Sequence, residues 1–132
     1  MYNEKILDHF MNPRNLGVLE DADGIGVLGD PACGDYIKVY IKVTDEHISD
    51  IRFQIAGCPA AIACGSAMTE LAKGKSIDEA AEICDADILE YLGGLPEEKA
   101  HCSNLGAGAL QNAIVDYMIK SLQQSHNHVV VI

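Results

Sequence analysis

The chain has 132 residues and 48% hydrophobic content, which fits one globular domain with a single core. Twenty acidic residues against nine basic ones give a net charge of −11, and no Lys/Arg cluster offers a face for phosphates, so nucleic acid is excluded as a partner. No apolar run approaches the roughly 20 residues of a membrane span, which excludes a membrane-spanning protein.

The N-terminus enters an amphipathic pattern with no signal-peptide core, so a cytoplasmic protein is expected. Residues 2–11 read as a helix with Ile6, Leu7 and Phe10 on one stripe, ended by Pro13. Residues 15–23 read as loop, and 24–29 as a glycine-weakened strand. The next strand is clear: Ile37, Val39, Ile41 and Val43 alternate with Tyr36, Lys38, Tyr40 and Lys42, one face buried and one wet. Thr44 to His47 supply a turn, and a third strand places Ile51, Phe53 and Ile55 inward. Strands joined by so short a turn are antiparallel.

After Cys58 the period changes from 2 to 3.6. Pro59 suits a first helical position, and Ala60, Cys64, Ala67, Met68 and Leu71 form an apolar stripe that ends at Lys73-Gly74. Ser76-Ile77-Asp78-Glu79 has the form of a capping box opening a short helix with Ile77, Ala80, Ala81 and Cys84 on its stripe. Another short helix runs over 85–91, closed by Gly93-Gly94. Residues 95–99 read as an exposed connection. A long helix over 103–123 carries Leu110, Ala113, Ile114, Tyr117 and Met118 inward. The expected organisation is α+β: a small antiparallel sheet with helices packed on it and a long C-terminal helix. Residues 1–125 form one domain, and 126–132, with His126 and His128, form a short tail.

Five cysteines is an odd number, and without an export signal it favours metal or redox chemistry over disulfides. Asp30-Pro31-Ala32-Cys33-Gly34-Asp35 is a stiff turn offering one soft and one hard ligand, Cys33 and Asp35. Cys58 in Gly57-Cys58-Pro59 and Cys102 after His101 fall at expected helix N-termini, where the dipole favours thiolate. Three thiols, a carboxylate and an imidazole (Cys33, Cys58, Cys102, Asp35 and His101) read as a metal site. Cys64 and Cys84, each inside an apolar stripe, read as small core residues.

The three contexts in order, Pro31 to Asp35, Gly57 to Ala63 and His101 to Leu105, resemble the ligand motifs of the IscU/NifU-type iron–sulfur cluster assembly scaffolds. Glu4 to Phe10, Asn12-Pro13-Arg14-Asn15 and Lys73-Gly74-Lys75-Ser76 are similar to other stretches of that family. The resemblance runs over about residues 2–120. It implies a scaffold, not an enzyme, on which [2Fe–2S] clusters are built from Fe²⁺ and sulfur delivered by a cysteine desulfurase. The clusters then pass to apo acceptor proteins. By resemblance Cys33, Cys58 and Cys102 are the cluster thiols and sulfur acceptors, Asp35 loosens the site for iron entry and cluster release, and His101 is an alternate ligand. A ferredoxin-type electron donor and a homodimer are further partners the resemblance implies.

The chain departs from the family where the IscU branch reads Leu-Pro-Pro-Val-Lys for its Hsp70-type chaperone. Here the segment is Leu95-Pro96-Glu97-Glu98-Lys99, so weak or no chaperone binding is expected. Cys64 stands where the family usually has a small residue, and the insertion typical of the zinc-dependent sulfur-transfer branch is absent. Two other readings of the residues stay open. Three thiols with His101 or Asp35 would satisfy tetrahedral Zn²⁺ as a sulfur relay, and zinc would also fit the apo form. A thiol enzyme would use Cys102 as nucleophile, another histidine as base and Asp35 as orienter, although one nucleophile would not need three similar thiols.

Overall fold

The computed structural model describes residues 2–29 and 34–129, excepting the side chains of 98 and 124–129. The elements follow the periodicity of the sequence: α1 (Glu4–Met11), β1 (Gly24–Gly29), β2 (Tyr36–Thr44), β3 (His47–Ala56), α2 (Pro59–Ala72), α3 (Ile77–Ala81), α4 (Asp85–Leu92), a 3₁₀ turn (Glu97–Cys102) and α5 (Ser103–Val129). The strands form one antiparallel sheet in the order β1-β2-β3. The β2–β3 hairpin turns on Asp45 and Glu46, both at positive φ (53° and 62°), as a two-residue hairpin that follows the strand twist requires. A bulge near Lys42/Val43 shifts the register, so Ile48 and Ile51 both reach the core although three residues apart.

One face of the sheet, carrying Ile37, Val39, Ile41, Ile51 and Phe53, is fully buried beneath α2 and α5. The close approach of α5 is set by glycine: a Cβ at Gly26 would overlap the backbone of Ala109 and Ala113, and one at Gly24 the Ala113 carbonyl. The opposite face is less wet than the alternation suggests. Tyr40 is only 5% exposed, lying under Lys38 and donating its hydroxyl to Gln54 Oε1.

α2 is not an amphipathic stripe but a helix buried almost all round, from Ala60 to Ala72, with Leu71 partly covered. Its small residues let α1, α4, α5 and β3 all close on it. In α1 the buried residues are Ile6 and His9, while Leu7 is 45% exposed. The capping box at Ser76 and Glu79 forms as expected, but Ala81 and Cys84 are exposed and Ile83 is buried instead. α5 runs on past Gln123 to Val129, and Met118 lies outside the core at 49% exposure. Of the expected tail, 130–132 and the side chains of His126 and His128 fall outside the described residues. No described helix is long and apolar enough to cross a membrane.

Both sheet edges are covered. At β1, the Ile25 N–H donates to Asp116 Oδ2 (2.8 Å), and Asn112 donates to the Val27 carbonyl (2.9 Å). At β3, residues expected to be loop run alongside: Gly17 N–H bonds Phe53 O and Phe53 N–H bonds Asn15 O. Further along, Ile48 exchanges bonds with Lys75 and Gly74. Such cover removes the template an open edge offers to another strand.

The N-terminal segment is fastened by buried polar groups. The Arg14 N–H donates to Ser66 Oγ (2.9 Å), and His9 Nδ1 lies 2.7 Å from the same oxygen, with His9 Nε2 3.3 Å from Glu70. Since a carboxylate only accepts, the proton sits on Nε2, and Nδ1 accepts from the Ser66 hydroxyl. Burial and the Arg14 charge push the His9 pKa below its ordinary value, against the pull of Glu70 and Asp8; Lys5 adds to the lowering, and Tyr91 packs on the ring edge-on. A histidine with a depressed folded pKa contributes stability above its unfolded pKa of about 6.5 and loses it as pH falls through the folded value. The stability gap between wild type and His9→Gln, measured by thermal unfolding, is therefore expected to be widest above pH 7 and to narrow toward pH 5. A gap that widens in acid would contradict this.

Candidate metal centre

The β2–β3 register sets the first part of the site. Tyr36 pairs with Ala56, so Asp35, just before β2, faces Gly57, just after β3. A Cβ added to Gly57 would stand 3.2 Å from Asp35 Oδ1, so that position admits no larger residue without moving the carboxylate. One residue on, Cys58 is the N-cap of α2 with Pro59 at the first helical position, an arrangement that spares an unpaired N–H. The second strand of the site is the junction at Cys102, where the 3₁₀ turn passes into α5.

These two seams meet. Cys58 Sγ and Cys102 Sγ are 3.8 Å apart, and His101 Nε2 lies 3.8 Å from Cys102 Sγ. Cys58 is half-buried, Cys102 is buried, and His101 and Asp35 are exposed, so only Cys58 reaches toward the polar rim. Cys33 falls outside the described residues, as do Asp30, Pro31 and Ala32. Among the described residues no group of three or more His, Cys, Asp or Glu is gathered tightly enough to hold a metal ion. What they provide is a thiol pair flanked by an imidazole, with Asp35 close enough for its charge to act on Cys102.

The electrostatics correct one expectation. The Cys102 thiol is pushed up to about 11, by burial first, then by the Cys58 thiol and the Asp35 charge, while Lys99 pulls the other way. Loss of hydration opposes the thiolate at Cys102, against the help expected from the helix N-terminus. Lys99 was not singled out as a site residue by sequence; one 3₁₀ turn separates it from Cys102, and that spacing was the available signal.

The remaining cysteines part company. Cys64 is fully buried behind the pair, its thiol pushed up to about 12 by burial, then by Cys102 and Cys58. Cys84 is not a core residue: it is exposed at the N-cap of α4, with Sγ 3.4 Å from Asp87 Oδ2. It lines an open cleft of about 780 Å³ with Leu71, Glu79 and Ile83, which holds none of Asp35, Cys58, His101 or Cys102.

The chain matches the family model of the NifU-like N terminal domain over residues 1–124. It is 58% identical over 121 residues to the iron-sulfur cluster assembly scaffold protein IscU 1 of Archaeoglobus fulgidus, covering 92% of this chain and 79% of that one. It is 50% identical over 123 residues to the Escherichia coli protein described as iron-sulfur cluster assembly scaffold protein IscU, covering 90% and 95%. Its fold is similar to a NifU-like N-terminal protein from Brucella abortus, with a TM-score of 0.73 at 21% identity over 89% of this chain and 94% of the other.

The burial pattern gives an order of thiol reactivity. In timed alkylation of the reduced, metal-free protein near neutral pH, read by peptide mass spectrometry, Cys84 is expected to react first. Cys102 should lag well behind it, and Cys64 should react only on unfolding. Labelling of Cys64 as fast as Cys84 in the folded protein would refute the assignment.

Proposed function

We propose, because this chain belongs to the NifU-like N-terminal domain family, that it is a scaffold on which iron–sulfur clusters are assembled for transfer to other proteins. It acts as a carrier and not as an enzyme. The observation that carries this reading is the contact of two thiols drawn from separate elements, with an imidazole and a carboxylate beside them. The names of relatives at 50–58% identity support it. They also leave the zinc sulfur-relay reading unfavoured.

In finer detail, the cargo is a [2Fe–2S] cluster. Cys58, Cys102 and Cys33 receive sulfur from a cysteine desulfurase and bind Fe²⁺ as thiolates. Each thiol that binds metal gives up a proton, so loading releases protons, and at Cys102 it works against burial and is assisted by the nearby Lys99 charge. Asp35 supplies a hard oxygen ligand and His101 an alternate nitrogen. Such a mixed shell holds a cluster less firmly than four thiolates, which suits cargo meant to leave. Zn²⁺ fits the same donors when iron is withheld. Electrons come from a ferredoxin-type donor, and clusters leave to apo acceptor proteins. The net charge of −11 fits a desulfurase that presents a basic surface. With Glu97 and Glu98 in place of Pro-Val, an Hsp70-type chaperone is bound weakly or not at all.

Anaerobic incubation with ferrous iron, cysteine and a desulfurase, followed by visible absorption and iron and sulfide content, tests the scaffold. Cluster formation should be lost in Cys33→Ser, Cys58→Ser and Cys102→Ser and kept in Cys64→Ser and Cys84→Ser. A cluster that survives Cys58→Ser and Cys102→Ser would sink the ligand assignment. Once loaded, Asp35→Ala should hold its cluster longer and hand it to an apo-ferredoxin severalfold more slowly. Faster transfer from the variant would reverse the role given to the carboxylate.

A further inference from the structure

α3, α4 and the last turn of α2 enclose the open cleft of about 780 Å³ that Cys84 lines. Its apolar part comes from three elements: Leu71 near the end of α2, Ile83 just after α3, and Tyr91 on α4. Its charged part is Glu79, Glu82, Asp87 and Glu90, four carboxylates against the single ammonium of Lys75. Asp87, Glu90 and Tyr91 stand at i, i+3 and i+4 on α4 and so share one helix face. The walls are held in advance. Tyr91 donates its hydroxyl to Glu70 Oε1 at 2.7 Å, and the Lys5 ammonium lies 3.9 Å from its ring centre. Glu79 accepts from the Ser76 N–H at 3.3 Å, and Asp87 from the Cys84 N–H at 3.0 Å. Glu82 and Glu90 are exposed and form no ion pair among the described residues.

We propose that this cleft docks a short cationic segment of another protein, with one large apolar side chain seated on Leu71 and Ile83 and lysine or arginine on either side. Carboxylates gathered on neighbouring helical turns repel one another, and Lys75 alone does not offset four of them. A cationic segment relieves that repulsion as it arrives. The apolar floor then selects among cations. A polyamine would satisfy the carboxylates and leave Leu71, Ile83 and Tyr91 wet, whereas an apolar side chain flanked by cations covers both parts of the cleft. Among the described residues no acidic and thiol groups are gathered tightly enough to hold a metal ion, so the cleft is not built for one. A second copy of this chain is a poor occupant, because it carries a net charge of −11. Since the walls are already ordered, docking demands little rearrangement on this side.

α2 carries Cys58 at one end and Leu71 near the other, roughly 20 Å apart at about 1.5 Å per residue. A segment held in the cleft therefore leaves the thiol pair open. A cleft of this size takes one short segment, so it anchors a transient partner and not a permanent subunit. The proposal does not depend on the scaffold reading: the cleft shares no residue with the thiol site, and its test needs no metal.

The test is a titration of the full, reduced, metal-free chain with the end-blocked peptide Lys-Arg-Leu-Arg-Lys, followed by backbone amide NMR shifts, with anisotropy of the labelled peptide giving the dissociation constant. Shifts should concentrate at Leu71 and over residues 79–91 and leave Cys58 and Cys102 unmoved. Exchanging the peptide's leucine for serine, or the peptide for spermine, should weaken binding at least about tenfold. Equal binding by either would leave charge as the whole attraction and overturn the seated side chain. Glu82→Gln/Glu90→Gln, altered only on exposed positions, should keep its fold by circular dichroism and bind the peptide at least about fivefold more weakly. Glu20→Gln/Asp21→Asn removes as much charge outside the cleft and should bind as wild type does. No shift at millimolar peptide, shifts spread over the whole acidic surface, or equal losses from the two double variants would each overturn the proposal.

Discussion

The contact on which the site's position rests is that of α5 lying directly on β1, backbone against backbone at Gly24 and Gly26. No side chain separates the two elements there, so the helix is fixed at a distance only glycine permits. Cys102 stands at the head of that helix, and its meeting with Cys58 depends on how deep and at what height α5 is seated. Asn112 and Asp116 fix the same helix along its axis by bonding to β1 amide groups. A larger residue at Gly26 would lift the helix and carry Cys102 away, a consequence far from the thiols in sequence.

α2 plays the complementary part. Buried on almost every side and built from alanine, serine, glycine and cysteine, it can be approached closely by its neighbours. Gly65 illustrates this, since a Cβ there would strike the Phe53 ring. Its first residue is preceded by Cys58, so the thiol stands at the tip of a helix buried on almost every side. The polar groups of Ser66, Thr69 and Glu70 fasten the segment from His9 to Asn15 onto the same helix, which ties the N-terminus to the core without contributing to the thiol site.

Much of this was legible in the sequence. The strand alternation gave β2 and β3, the Ser76–Glu79 box and Pro59 located helix starts, and sequence context set Cys58 and Cys102, which meet in the structure, apart from the buried Cys64. Other features depend on neighbours distant in the chain. Tyr40 is covered by Lys38 and Gln54, His9 is buried because Ser66 and Glu70 receive it, and residues 15–17 run beside β3 because its edge needs partners. Cys84 misled because a short helix ended one turn earlier than its apolar spacing implied. The Cys102 thiol was read from helix position alone, whereas its surroundings are set by packing against Cys58.

Asp35, Cys58 and Cys102 all sit at seams: the start of β2, the passage from β3 to α2, and the passage from the 3₁₀ turn to α5. A ligand inside a helix or strand could shift only by disturbing the hydrogen-bond ladder around it. A ligand at a seam can swing on a few backbone torsions while the elements on either side stay paired. If the molecule works as the proposed scaffold, cargo of changing size and charge would be taken up and handed over at these element ends without the core having to register the event.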